Sequence, residues 1–376
     1  MSGDSPLKIG LFPVMIGRRG GGPETYERQL IQTLARIAPQ HDYRVYCLSR
    51  AAAAALEPLP VRVARPVLGP GPRTLSMMVS LPLALARDRP DLLHVTFTPP
   101  PVSPRAYVFT LHDISMFVHP EFYPVRIRLR LNALIRLGLR QARLILCISE
   151  HGRQMARERF GIAEERLAVA YHGVDACYRP VPQSEARQRL RRHYGLEGSY
   201  LLYLGKYERR KNIFRLLEAF RLFRERNDGV KLVMAGKRDW NAAAVDRLIA
   251  QLELDGQVLE PGYIPLEHLP ALYSAAHCFV FPSLWEGFGL PVIEAMACGT
   301  PVITSRGSCL EEIAGGAARL VDPHRVEDIA QALEELYRNP ALGGELRRRG
   351  LIRAAQFSWE ACARQTLAAY RQALAL

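Results

Sequence analysis

The chain has 376 residues, 48% hydrophobic and 23% charged, which is enough for two domains of ordinary size and too apolar for a disordered protein. Seven cysteines without a C-x-x-C pair or metal-ligand spacing argue against a disulfide scaffold and predict reduced thiols in a cytoplasmic protein. The sequence contains neither a signal-peptide pattern nor a run of about 18 apolar residues, so we expect no membrane span.

The formal net charge is +13, and most of it lies in the first half of the chain. Residues 1–180 contain 24 Lys and Arg against 14 Asp and Glu (+10), whereas the remainder contains 26 against 23 (+3). A basic half predicts an anionic partner. Because we find no zinc-finger spacing, RNA-binding aromatic motif or basic tail, nucleic acid is a poorer candidate than a phosphorylated small molecule or an anionic membrane surface.

Short aliphatic runs alternate with helical patterns along the whole chain, and this alternation predicts parallel sheets covered by helices on both faces. Helical patterns include residues 24–37 and 125–141. The predicted strands are 7–12, 43–48, 92–97, 107–111, 143–148 and 167–171 in the first half, and 200–204, 231–235, 258–261, 278–281, 301–304 and 319–321 in the second.

A polar segment with two prolines, residues 175–188, divides the chain. We therefore predict two doubly wound α/β domains, 1–178 and 179–356, followed by an amphipathic helix, 357–376, that packs back on the first domain. Ligands of such sheets bind outside the carboxyl ends of the strands, so the cleft between the domains is the expected site.

Two loops at predicted strand ends suit phosphate groups. Residues 17–30 (GRRGGGPETYERQL) place glycines before a helix N-terminus, where backbone N–H groups can approach an anion, although a flexible turn explains them equally well. Lys206, Arg209, Arg210 and Lys211 crowd the loop after strand 200–204. Such cations suit a diphosphate, while the run by itself slightly favours a solvated loop.

The segment 283–305 (SLWEGFGLPVIEAMACGTPVITS) places two glutamates eight residues apart. Glu286 lies in a glycine-containing loop after a strand, where it can accept hydrogen bonds from sugar hydroxyls. Glu294 lies about one turn into an otherwise apolar helix, where a purely structural carboxylate would be costly. We therefore interpret Glu294 as the ligand of a second diol, such as a ribose.

The stretch EGFGLPVIEAMACGTPVI resembles the E-x7-E signature of the retaining glycosyltransferases of family 4, which have the GT-B fold. The motifs GGPE, HD of TLHD, CISE, YHGVD, GKYERRKN and GYIPLEHLPALYSAA follow in family order, so the resemblance covers essentially the whole chain. It implies two Rossmann-like domains facing a deep cleft, the first binding the acceptor and the second the nucleotide sugar. The segment HDISMFVHP and the RKN loop look most like bacterial mannosyl- and rhamnosyltransferases of surface polysaccharide assembly.

The resemblance also implies roles for individual residues. The catalytic set comprises His112 at the donor sugar, Arg210 and Lys211 at the leaving diphosphate, and Glu286 at the sugar hydroxyls. The remaining donor-binding residues are Gly21 and Gly22 at the phosphates, Lys206 at the diphosphate, Tyr263 and Ile264 at the base, Phe288, Gly289 and Leu290 beside the sugar, and Glu294 at the ribose. This chain departs from the common family pattern at His172, usually Asn, and at Lys206, often Arg.

The mechanism that the resemblance implies is a front-face substitution, in which the leaving phosphate takes the acceptor's proton and the anomeric configuration is kept. The residues agree in offering cations for a departing diphosphate and no convincing metal cluster, so we expect neither a cofactor nor a metal. His112 could instead act as general base or only position the donor, and both roles stay open.

A basic helical face offers a second possible partner. Five arginines share it, with Leu129 and Leu137 between them: Arg126, Arg130, Arg136, Arg140 and Arg143. Such a face could rest on anionic lipid head groups or simply be solvated. In the first case the protein would lie on the inner face of the cytoplasmic membrane and use a lipid-linked sugar as acceptor.

The sequence therefore predicts a hexosyltransferase of polysaccharide biosynthesis, with GDP-mannose as the favoured donor and a sugar or lipid-linked glycan as acceptor. A UDP-sugar donor is the alternative within the same class. A sugar-nucleotide epimerase and a non-catalytic nucleotide-binding protein are alternatives of other classes. A nicotinamide dehydrogenase is disfavoured because no glycine fingerprint with a following acidic residue succeeds the first strand.

Overall fold

The structure is a computed structural model that describes residues 5–18, 21–57, 59, 63–69, 75–238 and 242–376. The chain forms two compact units, one containing the residues up to Gly173 together with Trp359–Leu376, the other Val174–Ser358. The sequence placed these divisions at residues 178 and 356. Each unit is built around one parallel sheet with helices packed on it, which confirms the prediction of two doubly wound α/β folds.

The first unit has a seven-stranded sheet in the order β3-β2-β1-β4-β5-β6-β7, with every pair parallel. Its strands are β1 (Lys8–Phe12), β2 (Asp42–Val45), β3 (Val63–Ala64), β4 (Leu92–Val95), β5 (Tyr107–Leu111), β6 (Leu144–Cys147) and β7 (Leu167–Val169). The sequence did not predict β3, because an edge strand of two residues is too short to show a periodic pattern. The order reverses between β1 and β4, where doubly wound sheets bind ligands.

The helices of this part of the chain lie between the strands. They are α1 (Gly22–Ile37), α2 (Arg50–Ala54), α3 (Leu81–Asp88), α4 (Ser115–Val118), α5 (Val125–Gln141) and α6 (Glu150–Phe160). Shorter turns are a π-helix at Ser76–Ser80 and 3-10 helices at Pro120–Phe122 and Glu164–Arg166.

The second unit has a six-stranded parallel sheet in the order β10-β9-β8-β11-β12-β13. Its strands are β8 (Tyr200–Leu204), β9 (Lys231–Ala235), β10 (Val258–Gly262), β11 (Cys278–Phe281), β12 (Val302–Ser305) and β13 (Arg319–Val321). Its helices are α7 (Gln183–Tyr194), α8 (Ile213–Arg224), α9 (Ala242–Gln251), α10 (Leu269–Ala275), α11 (Leu290–Ala297), α12 (Cys309–Ala314), α13 (Val326–Arg338) and α14 (Pro340–Ala354), with 3-10 turns at Arg209–Lys211 and Leu266–His268. Here the order reverses between β8 and β11.

The last helix, α15 (Trp359–Ala375), belongs to the first unit, where it packs against α1. Its buried Tyr370 hydroxyl lies 2.7 Å from Nδ1 of His94, and Glu360 pairs with Arg36 of α1. The central strands are buried on both faces, which is why β6 and β11 are continuous apolar runs. Among the described helices, none combines the length and the apolar composition that a membrane crossing requires.

Candidate active site

The cationic loop lies at the carboxyl end of β8, beside the point where the second sheet reverses its order. Arg209–Lys211 form a 3-10 turn that ends at Asn212, whose φ of 62° is left-handed. The Asn212 side-chain amide donates to the carbonyls of Pro282 at 3.0 Å and Pro323 at 2.6 Å. The turn is therefore fixed to the loops that follow β11 and β13, and the side chains of the turn are placed at the ligand-binding edge of the sheet.

Glu286 is buried against the two cations predicted to bind a diphosphate. Arg210 donates from Nη1 to Oε2 at 2.8 Å, and Lys211 donates from Nζ to Oε1 at 2.5 Å. Burial by itself would raise the pKa of Glu286, but the charges and hydrogen bonds of Arg210 and Lys211 outweigh it and hold the pKa below its usual range. We call Arg210, Lys211 and Glu286 the cation–carboxylate cluster.

The two cations of the cluster have further neighbours. Arg210 donates from Nε to Glu208 at 2.8 Å and from Nη1 to the Trp285 carbonyl at 3.3 Å. Lys211 Nζ lies 4.7 Å from the ring centroid of Phe281, and burial lowers its pKa, as does the charge of Arg210, against the opposing effect of Glu286. Lys206, the third predicted diphosphate ligand, follows β8 and is half-buried. The predicted leaving-group cations and the predicted sugar-binding carboxylate thus meet at one point.

The loop that carries Glu286 depends on one glycine and one unpredicted cysteine. Gly289 has a φ of 105°, and a Cβ there would lie 2.4 Å from Leu310 Cδ2, so only glycine fits. The Cys309 thiol donates to the Glu286 carbonyl at 2.9 Å. Phe288 and Leu290 are buried on either side of Gly289. The sequence offered no signal for Cys309, because the contact joins the first residue of α12 to the loop after β11, and these segments follow different strands.

Glu294 lies in a different environment, on the first turns of α11 among buried apolar side chains. The Tyr273 hydroxyl donates to its Oε2 at 3.0 Å, and the Tyr178 hydroxyl is hydrogen-bonded to the same carboxylate. Removal from bulk water raises the pKa of Glu294 to about 7, and the nearby charge of Asp175 acts in the same direction. Glu286 is therefore paired with two cations, whereas Glu294 is hydrogen-bonded to phenol hydroxyls.

The residues predicted to meet the base follow β10. Ile264 is buried, whereas the Tyr263 side chain is 75% exposed. Gly262, with a φ of 77°, accepts a hydrogen bond from Gly236 N at 2.9 Å. This hydrogen bond fixes the end of β10. The backbone of Tyr263 and Ile264 therefore lies at the same edge of the sheet as the cationic loop.

In the first unit, the glycine loop leads into α1, and two of its residues, 19 and 20, lie outside the described part of the chain. Gly21 is the N-cap of α1 with a φ of 72°, and a Cβ added there would meet no atom of the described residues within 4 Å. Gly22 begins the helix and Pro23 follows. The predicted phosphate-binding backbone therefore lies at a helix N-terminus, where unpaired N–H groups favour an anion.

Two glutamates of α1 hold the segment between β1 and the glycines. Glu27 is fully buried and accepts from the amides of Val14 at 2.8 Å, Met15 at 2.7 Å and Ile16 at 3.0 Å. Glu24 accepts from the Gly17 amide at 2.8 Å. Burial raises the pKa of Glu27 to about 7, against the effect of these hydrogen bonds. Neither glutamate was predicted to have a role, although acidic side chains one turn apart after a glycine loop were a usable signal.

His112 lies at the carboxyl end of β5, with its Nε2 2.6 Å from the Thr96 carbonyl. A carbonyl only accepts, so Nε2 carries the proton and Nδ1 keeps its lone pair. Burial lowers the pKa of His112 to about 4, so the ring is neutral at neutral pH. The neighbouring Asp113 accepts from the amide and the hydroxyl of Ser115, the first residue of α4, at 2.6 and 2.7 Å.

His172, where the family usually has Asn, belongs to an aromatic group. Its ring stacks on Tyr26 with centroids 4.7 Å apart and lies 5.8 Å from Trp359. Tyr26 also presents its ring edge to His112, with centroids 4.8 Å apart. Burial holds the pKa of His172 well below its ordinary value, so this ring is neutral too. His172 therefore packs against Tyr26, which in turn contacts His112.

The basic face of α5 differs in part from the prediction. Arg126, Arg130, Arg136 and Arg140 are exposed on the helix, but Arg143 lies beyond its end, half-buried, because Ala142 turns into β6. The guanidinium of Arg136 lies over the rings of Phe117 at 5.3 Å and Phe160 at 5.8 Å. The first turns also expose three apolar side chains, Val125 at 58%, Ile127 at 49% and Leu129 at 62%.

Comparison with solved structures defines the class of protein. The structure of HepE from Anabaena in complex with UDP-glucose has a TM-score of 0.79 at 19% identity, over 97% of this chain and 99% of that chain. The two parallel sheets and this structural similarity show that the protein has the GT-B fold.

Comparison with sequences defines the family. The family model Glycosyltransferase Family 4 matches residues 20–177, and Glycosyl transferases group 1 matches residues 187–356. The O-antigen chain mannosyltransferase B of Escherichia coli is 36% identical over 266 residues, which are 70% of each chain. The serotype-specific mannosyltransferase WbdA of Escherichia coli is 29% identical over 306 residues, 76% of this chain and 37% of that protein. The chain belongs to the family 4 glycosyltransferases and is a sugar-transferring enzyme, as its motifs indicated.

Proposed function

We propose that this enzyme transfers mannose from GDP-mannose to a sugar or lipid-linked sugar acceptor in surface polysaccharide assembly, with retention of the anomeric configuration. The observation that carries the chemistry is the cation–carboxylate cluster at the reversal point of the second sheet. Mannose and polysaccharide assembly are supported by two similar proteins that are O-antigen or serotype-specific mannosyltransferases.

In the proposed reaction, an acceptor hydroxyl forms a bond to the anomeric carbon on the face from which the diphosphate leaves. The bond between that carbon and the diphosphate oxygen breaks, and the acceptor's proton passes to the departing phosphate. Lys211, Arg210 and Lys206 stabilise the developing negative charge, which is the largest catalytic contribution we expect. Glu286 accepts hydrogen bonds from mannose hydroxyls while it shares the cations with the diphosphate. The chain supplies these charges from its own side chains, so we propose that no metal is required.

We propose that His112 positions the donor and does not act as general base. Its protonated Nε2 is committed to the Thr96 carbonyl, which leaves Nδ1 to accept a hydrogen bond from a sugar hydroxyl. A ring whose pKa is about 4 is also a weak base at neutral pH. Replacing His112 with Asn, which retains an acceptor, should then preserve more turnover than replacing it with Ala.

A UDP-sugar donor is the second candidate. It is favoured by one observation, the structural similarity to HepE in complex with UDP-glucose. The two candidates share the class of enzyme and the cation–carboxylate cluster, and they differ in the base that the backbone near Tyr263 and Ile264 would read.

Calorimetric binding of GDP, UDP, ADP and their common sugars, followed by transfer assays with EDTA present, tests the proposal. We expect GDP-mannose to bind best and transfer to continue in EDTA. Preference for a UDP-sugar would replace the donor, loss of transfer in EDTA would refute metal independence, and binding of no nucleotide would refute the proposal. Glu286→Gln should strongly reduce transfer, whereas Glu267→Gln, which changes an exposed glutamate of the same unit, should not.

We also propose that the first turns of α5 rest on an anionic membrane surface. Exposed Val125 and Leu129 lie on one side of these turns beside exposed Arg126 and Arg130, which is the arrangement of an interfacial helix. Arg126→Glu/Arg130→Glu should reduce co-sedimentation with vesicles that contain anionic lipid. The matched charge reversal Arg191→Glu/Arg192→Glu on α7 should have no effect, and equal effects of the two pairs would refute a specific surface.

A further inference from the structure

Glu294 is the member of the E-x7-E pair that is surrounded by hydroxyl groups instead of cations. It lies on α11 between buried Val292, Ile293, Ala295 and Met296. A carboxylate in such a helix is costly unless donors satisfy it. The donors in this structure are phenols, from Tyr273 of α10 at 3.0 Å and from Tyr178 at the start of the second unit.

The two phenols form one support. Tyr273 is fully buried and Tyr178 is 9% exposed, and their rings meet edge to face with centroids 6.0 Å apart. A phenol hydroxyl donates a single hydrogen bond, so each tyrosine occupies one lone pair of the carboxylate and leaves the others for a ligand. The buried rings have little freedom, so the directions of these two bonds fix the plane of the carboxylate.

We propose that Tyr178 and Tyr273 are positioning residues for the nucleotide: their hydroxyls hold Glu294 as an oriented carboxylate that accepts hydrogen bonds from the two hydroxyls of the ribose. This inference rests on the proposed nucleotide-sugar donor. It extends that proposal by assigning ribose recognition to a unit of three side chains that come from α11, α10 and the segment before α7.

Protonation provides a signature for this role. Removal from bulk water raises the pKa of Glu294 to about 7, and the two phenol hydrogen bonds oppose the rise. The other titratable groups that face the carboxylate are Asp175 and Cys177 from the entering segment and Cys298 at the end of α11. Removing one phenol hydroxyl makes the ionised form of Glu294 less favourable. The pKa of Glu294 should then rise, so that the carboxyl group stays protonated to higher pH.

The experiment compares wild type with Tyr178→Phe, Tyr273→Phe and the double variant. The ligands are the nucleoside diphosphate that the wild type selects from the panel, its 2′-deoxy form and inorganic pyrophosphate. At pH 7.5, each single variant should bind the nucleoside diphosphate roughly tenfold more weakly, as expected for one hydrogen bond to a charged group. The cost of the 2′-deoxy substitution should shrink in the variants, and pyrophosphate affinity should be unchanged.

The pH dependence separates positioning from general packing. Affinity for the nucleoside diphosphate should fall as the pH drops through about 7 in the wild type, and in the variants this fall should begin at higher pH. Tyr43→Phe is the matched control, because it removes a buried phenol hydroxyl of the first unit that bonds to the carbonyls of Leu34 and Ala38. It should leave affinity and pH dependence unchanged.

Each outcome decides the inference. Variants that fold, as judged by circular dichroism and melting temperature, and bind the ribonucleotide as tightly as wild type would refute it and leave the proposed function intact. Equal losses for pyrophosphate and nucleotide would refute it as well, because the effect would not concern the ribose. A wild type that binds no nucleoside diphosphate would overturn the proposed function and this inference together.

Discussion

The two glutamates of the E-x7-E segment occupy opposite electrostatic environments although they belong to the same unit of the fold. Glu286 faces Arg210 and Lys211, and its pKa is held below the usual range. Glu294 faces two neutral phenols, and its pKa is raised to about 7. Burial by itself raises the pKa of both carboxylates. The partner, a cation or a hydroxyl group, therefore decides whether the folded protein keeps the carboxylate ionised.

The difference also separates two tasks. A carboxylate locked to two cations stays ionised and can share those cations with a phosphate, so the Glu286 region suits charge development in a reaction. A carboxylate held by phenols near its titration point suits recognition of a neutral diol. Four measurements test whether the two glutamates differ in this way.

The largest effect should come from Glu286→Gln. The neutral amide cannot pair with the cations or accept sugar hydroxyls as strongly, so we expect turnover to fall at least about 100-fold. Affinity for the free nucleoside diphosphate should be kept or increased, because Arg210 and Lys211 lose their competing anion. Transfer assays and calorimetry check this, and weaker binding of the diphosphate would show that Glu286 organises the cations instead of competing for them.

Lys211→Met should be next. It removes a buried ammonium that pairs with Glu286 while keeping an unbranched side chain. We expect kcat to fall by roughly 100-fold and diphosphate affinity to fall with it, because the departing charge loses one donor. Lys211→Arg is the control that retains a positive charge, and identical losses in both variants would indicate that packing and not charge is responsible.

The pH dependence should be moderate and opposite in sign for binding and stability. The folded pKa of Glu294, about 7, exceeds its ordinary value of 4.5, so its contribution to stability is fully present below about pH 4.5 and is lost as the pH rises through 7. Ribose binding needs the carboxylate and should strengthen over that rise. Calorimetry and chemical denaturation from pH 5 to 8, with Glu294→Gln as control, would detect both trends, and a control that behaves like wild type would assign them elsewhere.

The smallest effect should come from Cys309→Ala. It removes the thiol that donates to the Glu286 carbonyl at 2.9 Å from a buried position. We expect a loss of stability of about 1 kcal/mol and a few-fold loss of turnover, since the loop keeps its glycine geometry and its ion pairs. Chemical denaturation and transfer assays measure both, and an unchanged turnover would show that the ion pairs alone hold Glu286.

The cation–carboxylate cluster was more predictable than the support of Glu294. Arg210, Lys211 and Glu286 each follow a strand that ends at the same edge of the sheet, so sequence and topology bring them together. Tyr178 lies in the polar segment before α7 and Tyr273 within α10, and neither pattern points to a carboxylate. Arg143 does not share the basic face of α5, because its helical phase fits that face but the helix ends at Gln141.

The sequence by itself determined the alternation of strands and helices, the two doubly wound sheets and the family, because apolar periodicity and short motifs are local properties of the chain. It also determined which residues carry charge at the strand ends. Only the tertiary structure decided which partner each charge has: phenols for Glu294, cations for Glu286, a carbonyl for His112 and backbone amides for Glu27. Those pairings join segments far apart in the chain. The burial that shifts the pKa of each paired group arises only when the chain has packed.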